Sequence, residues 1–273
     1  MKPIETSFKR IETKYVVAKG DLANLIENLK IYLVEDDYPT STISNIYFDT
    51  EQFDMIQEDG QGTKRKEKIR MRTYLSQVQP DSQVFLEIKS KDRAGVGRKH
   101  RLLSTPQSIT QFMTKGQLDS SIKDRMIIEK IQKNKLYLST GEIEKIQQLQ
   151  EEYQQAIIPR MYIYYDRFSL KEKKEISGFP YNKIRITIDQ NLTYRDNNVS
   201  LFSGKDGCPL LNEDIVIMEI KAPGRKPQWL QDILDQYGLV EQKFSKYSCA
   251  YHKSQGLDYS PRPSTESVGT TYV

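Results

Sequence analysis

The chain has 273 residues, 29% charged and 37% hydrophobic, and a formal net charge of only +4. Acids and bases nearly balance, so the chain lacks the cationic excess of a protein that coats nucleic acid, and any strong positive field must be focused locally. Two cysteines (Cys208, Cys249) and two histidines (His100, His252) exclude a disulfide framework, a zinc cluster and a multi-histidine metal site. They fit a reducing compartment, and a metal here would be a hard ion with oxygen ligands. The N-terminus shows no apolar signal-peptide core, and the longest apolar run, around Ile215–Met218, is far too short to span a bilayer. The chain therefore reads as cytoplasmic.

The first strand pattern lies near 8–17, where Arg10, Glu12 and Lys14 alternate with Ile11 and Tyr15. Asp21 then offers a cap for a helix carrying Leu22, Leu25, Ile26 and Leu29. A strand near 43–49 follows. The polar stretch 57–66, QEDGQGTKRK, reads as a loop that exposes Lys64, Arg65 and Lys66, and its glycines match no phosphate-binding loop. Next come a strand near 67–75 with Lys68, Arg70 and Arg72, one near 83–91 with Glu87, Lys89 and Lys91, and one near 97–103. On the last, alternation pairs Lys99 with Arg101 and turns His100 away.

Residues 121–155 read as two covering helices broken near Ser139–Gly141. Strands are expected near 159–170 and 182–190, the latter alternating Lys183, Arg185, Thr187 and Asp189 with Ile184, Ile186 and Ile188. A turn at 203–209 leads to the last strand, 214–222, with Glu219 and Lys221. A helix after Pro227 places Trp229, Leu230, Ile233 and Leu234 on one face, and a short helix follows Phe244. Residues 1–253 read as one domain and 254–273 as a flexible tail without periodicity. A period of two puts each charged set on one face of the sheet, and its repetition across five strands points to a charged lumen suited to a long, highly anionic ligand.

The motifs KYVV (14–17), YFDT (47–50), KIRMRTY (68–74), FLEIKSK (85–91), YYDRFSL (164–170), KIRITID (183–189), IMEIKAP (217–223) and KFSKY (243–247) stand in an order that resembles the polyphosphate-polymerase domain of the vacuolar transporter chaperone family. That family is a branch of the triphosphate tunnel metalloenzymes, with a CYTH-like fold. The resemblance spans roughly residues 8–252. It implies an α+β fold with an eight-stranded antiparallel barrel tunnel and covering helices, in which the terminal phosphate of ATP passes to a growing polyphosphate chain with Mn²⁺ or Mg²⁺. It further implies that Lys14, Arg70, Arg72, Lys89, Arg167 and Arg185 are the catalytic tunnel cations. Lys99, Arg101, Tyr165, Lys243, Ser245 and Lys246 would bind phosphate, and Glu219 would hold the metal.

The residues leave some roles open. Glu12 and Glu87 are metal ligands or ion-pair partners, and for Glu12 an ion pair orienting Lys14 is favoured. Tyr165 has a core-aromatic alternative, and Asp189 binds metal or begins a turn. The hydrolase branch opens Glu-x-Glu-x-Lys, whereas this chain has Arg10-x-Glu12-x-Lys14, which favours polymerase. The alternatives are a triphosphatase or polyphosphatase of the same fold, or a non-catalytic module for polyphosphate or inositol phosphates. The expected partners are ATP or another triphosphate and polyphosphate, not nucleic acid. Coupled translocation would need a separate membrane partner.

Overall fold

The computed structural model describes residues 10–60, 66–91, 96–116, 140–177, 184–264 and 270–272. One sheet organises them. Its strands are β1 (Arg10–Ala18), β2 (Leu33–Asp49), β3 (Lys66–Thr73), β4 (Val84–Lys91), β5 (Val96–Ser104), β6 (Ile158–Glu172), β7 (Arg185–Arg195), β8 (Cys208–Pro209), β9 (Ile215–Ala222) and β12 (Thr270–Tyr272). The hydrogen-bonded order is β6-β2-β3-β4-β5-β12-β1-β9-β7-β8, and β6 also pairs with β7, so the sheet bends back towards its start. This corrects the eight-stranded, wholly antiparallel barrel expected from the sequence. β12 lies between β5 and β1 and runs parallel to β5, and β8 adds an edge. The segment 254–273, expected to lack regular structure, supplies both β12 and β11 (Arg262–Pro263), which pairs with β10 (Gln242–Lys243).

Alternation sorts each strand into an outer apolar and an inner polar set. On the outer face, Tyr15, Val17, Ile186, Ile188, Met218 and Ile220 pack under α1 (Leu22–Lys30) and α6 (Gln228–Gln236). There Trp229 stacks on Tyr32 at 4.4 Å. A second outer core joins Ile69, Met71, Leu86, Ile88 and Leu102 to α3 (Pro106–Lys115) and α4 (Thr140–Tyr153). Residues 117–139, the first part of the helical stretch expected at 121–155, lie outside the described residues.

The sequence reading passed over α3, although its signals are clear. Thr105 accepts the Ser108 amide, Pro106 occupies the first turn, and Gly116 closes the helix at φ 65°, where a Cβ would meet Gln150 at 2.9 Å. Two further helices are not among the expected elements: α2 (Asp54–Gly60), which runs into the stretch 57–66 read as a loop, and α5 (Lys174–Ser177).

The inner face is not polar throughout. Ile43, Met161, Ile163 and Ile217 form a third core with Phe244, Tyr247 and Ala250, so α7 (Lys246–Ser254) packs against the inner side of the sheet. Asp49 fixes α2 and α7 together. It is fully buried and accepts from the amides of Thr50, Met55 and Ile56 and from the Tyr247 hydroxyl, the last at 2.7 Å. No helix among the described residues is long and apolar enough to cross a membrane. Asp49→Ala leaves these buried donors without their acceptor, and we expect a loss of roughly 3 kcal/mol in urea unfolding. A change below about 0.5 kcal/mol would show that Asp49 does not tie the two helices.

Candidate active site

Strand register sets out the site as rows of side chains across the inner face. In one row Arg70 faces Glu87, which faces Arg101. Glu87 has no solvent exposure and gathers the cations around it. Arg70 donates Nε–H to Glu87 at 2.8 Å, Arg101 Nε–H at 2.9 Å, and Lys99 Nζ lies at 2.6 Å. Burial would raise the Glu87 carboxyl, but Arg70, Arg72, Lys99 and Arg101 together hold it well below the usual carboxylate range. The ambiguity over Glu87 thus resolves as an ion-pair hub. Arg70 also donates to the Tyr47 hydroxyl at 3.1 Å. Arg72 donates to the Asn45 side-chain oxygen and to the Tyr165 hydroxyl, each at 2.8 Å.

The next row is Lys68, Lys89 and Lys99 on three adjacent strands. Like charges directly opposite repel. Burial first, then Arg70 among the neighbouring charges, pulls Lys89 well below the ordinary lysine value. Burial, only partly offset by Glu87, brings Lys99 down to about 7.

Across the interior, Arg167 grips Asp189 with two bonds of 2.6 and 2.8 Å, and Lys246 reaches the same carboxylate at 2.6 Å. Asp189 is therefore a buried anchor. Arg167 and Lys246 also lie over the Tyr165 ring, at 5.4 and 4.7 Å. Ser245 caps α7 by accepting the Ser248 amide and also accepts from Lys68 Nζ at 3.0 Å. Lys14 donates to the Phe244 carbonyl at 2.9 Å and lies 3.8 Å from Glu12. The start of α7 is thus held among cations.

Glu219 stands in register between Lys14 and Thr187 and is ion-paired with Lys221 at 2.9 Å. Burial would raise its carboxyl, but Lys221, Arg167, Lys14 and Lys246 hold it well below the ordinary range. Lys221 also lies 3.7 Å from Glu12. Among the described residues no group of three or more His, Cys, Asp or Glu is placed to hold a metal. The donors here are hard oxygens, and Mg²⁺ or Mn²⁺ held by one carboxylate would take most of its other ligands from water and phosphate.

The structure brings Lys14, Arg70, Arg72, Lys89, Lys99, Arg101, Tyr165, Arg167, Glu219, Ser245 and Lys246 to one interior. It does not bring Arg185 or Lys243 there in the same way. Arg185, at the first position of β7, has a side chain 46% exposed and pairs with Asp36 at 2.7 Å, in a row with Lys171, Lys221 and Glu12 at the margin of the inner face. Lys243 is exposed on the small β10–β11 ribbon. Lys68 and Lys221 belong to the site and were not assigned to it from the sequence, although the same alternation marked them.

The family model described as the VTC domain matches residues 9–254. Among solved structures, a candidate adenylate cyclase from Bacillus halodurans is similar at 13% identity and a TM-score of 0.44, with 86% of this chain and 93% of that chain covered. The PH1819 protein of Pyrococcus horikoshii is similar at 14% identity and a TM-score of 0.39, covering 89% and 99%. No curated protein matches the chain.

The lowered lysines have a consequence for binding. A phosphate chain entering beside Lys99 favours its charged form, so binding at pH 8 should take up protons. The sign for the free protein follows from linkage. A lysine depressed to about 7 when folded gives stability that grows as pH rises from about 7 towards the unfolded lysine value of 10.5. Calorimetry of tripolyphosphate binding at pH 8 in buffers of different ionisation enthalpy should show this uptake, reduced in Lys99→Met. Identical heats in all buffers would contradict it.

Proposed function

The chain belongs to the VTC domain family, and from that premise we propose that it is a metal-dependent polyphosphate polymerase, transferring the terminal phosphate of ATP to a growing polyphosphate chain within a cationic tunnel. The observation that carries the reading is the excess of cations over carboxylates on one inner face. Lys14, Lys68, Arg70, Arg72, Lys89, Lys99, Arg101, Arg167, Lys221 and Lys246 share that face with the carboxylates of Glu12, Glu87, Asp189 and Glu219. An interior of this kind is incomplete until an anion enters it.

Phosphoryl transfer asks the protein mainly for in-line positioning and charge neutralisation. Arg70, Arg72 and Arg167 offer planar forks, pre-aimed by Glu87, Asn45 and Asp189, that suit phosphate oxygens. Lys246 and Ser245 hold phosphate at the helix start. Tyr165, whose hydroxyl already accepts from Arg72, can donate its own proton onward to a phosphate oxygen. Glu219 would hold the divalent ion, and when bound the ion would neutralise charge on the phosphates. The sole expected metal carboxylate and the Arg10-x-Glu12-x-Lys14 opening support transfer to phosphate over hydrolysis. One observation favours a second reading, a non-catalytic polyphosphate binder: Glu219 is already paired with Lys221.

Purified protein incubated with ATP and Mn²⁺ should yield long polyphosphate on gel analysis of chain length. Orthophosphate alone would support a triphosphatase, and unchanged ATP with measurable polyphosphate binding would support the binder. Glu219→Gln should abolish metal-dependent transfer while metal-free polyphosphate affinity stays unchanged or rises. Full activity of this variant would place the metal elsewhere.

A further inference from the structure

Thr187 has a hydroxyl with nothing to do. The residue is 1% exposed, and its Oγ1 has no hydrogen-bond partner. Buried hydroxyls are nearly always partnered. Its strand neighbours Ile186 and Ile188 both point into the outer core, so alternation turns Thr187 to the inner face, on the same side as Asp189. Two other orphaned hydroxyls, Thr13 and Ser104, alternate with Lys14 and with Leu103, and sit on the outer faces beside Tyr15 and Leu102. Thr187 differs from them by aiming at the charged interior.

Its cross-strand partner is Glu219, and directly opposed side chains on one face lie within reach of a shared ligand. On the other side of Glu219 stands Lys14, whose ammonium disfavours a second cation there. Thr187 thus stands beside the carboxylate on the strand opposite Lys14. Lys221, which pairs with Glu219, has Glu12 at 3.7 Å to turn to when an ion takes its place. A hydroxyl oxygen is a hard, neutral donor of the kind that Mg²⁺ and Mn²⁺ accept.

We propose that Thr187 would supply a second protein oxygen, beside Glu219, to the divalent cation that Glu219 would hold. The proposal rests on the reading that Glu219 holds a metal. It explains why a polar side chain is kept where valine would fit and where the free protein gives it no bond.

The test is Mn²⁺ titration calorimetry on the full chain saturated with tripolyphosphate, alongside the melting temperature of the free protein. Thr187→Val should bind Mn²⁺ at least about tenfold more weakly, since even a group that only orients a metal ligand costs that much when removed. It should bind tripolyphosphate normally without metal and melt, ligand-free, at the wild-type temperature or higher, because no hydrogen bond is lost. Thr187→Ser should restore Mn²⁺ affinity. Wild-type Mn²⁺ affinity in Thr187→Val would overturn the proposal, as would an equal loss of tripolyphosphate binding with and without metal, which would make Thr187 a phosphate contact. Glu219→Gln separates the two levels. If it too binds Mn²⁺ normally, the Glu219 reading fails and this proposal falls with it.

Discussion

The inner face depends on the carboxylate of Glu87. It lies between Arg70 and Arg101 in the strand register, takes Lys99 from the side, and draws Arg72 to 3.9 Å. Without it, guanidinium and ammonium groups on adjacent strands would face one another across the sheet with no carboxylate between them, and like charges so placed repel. Glu87 does not neutralise them all. It fixes their directions and leaves a surplus of positive charge beside it, and that surplus is the ground for proposing a polyanionic ligand. Burial that would ordinarily protonate a carboxyl is here overruled by the cations it organises.

The same logic operates on the opposite wall. Asp189 holds Arg167 on its own sheet and Lys246 on α7, so one carboxylate joins sheet and helix. Ser245 joins the helix to Lys68, and Lys14 reaches the Phe244 carbonyl. Behind these polar ties, Tyr247 stacks on Tyr47 at 4.5 Å and bonds Asp49. The apolar half of the inner face therefore seats a helix whose start faces the charged half. Packing and electrostatics position the same element, and the proposed phosphate site lies where they meet.

Much of this was legible in the sequence because strand periodicity is a strong signal. Arg70, Arg72, Lys89, Glu219 and their neighbours were assigned to one face from alternation alone, and they meet there. What a period of two cannot give is depth along a strand. Arg185 obeys the alternation, yet it begins β7, lies at the margin and pairs with Asp36. Asp36 itself was invisible as a partner, because β2 was expected only from 43. Its first half, LVEDDYPT, carries a proline and charged residues, and its register with β6 breaks between Glu35 and Thr40. Glu87 and Asp189 were seen as carboxylates of uncertain role, since only cross-strand register shows that each is surrounded by cations. The insertion of β12 between β1 and β5 had no sequence signal, as three residues are too few to show a period.

The central claim is that the inner face holds more positive charge than its own carboxylates balance, and that a polyanion completes it. The most direct measurement is the melting temperature of the metal-free protein with tripolyphosphate, compared with sodium chloride at matched ionic strength. Anything that binds only the folded state stabilises it by mass action. The account predicts a concentration-dependent rise of several degrees with tripolyphosphate, strongly reduced in Arg70→Ala, and little or none with chloride. Equal melting temperatures in the two salts, or an undiminished rise in Arg70→Ala, would contradict it.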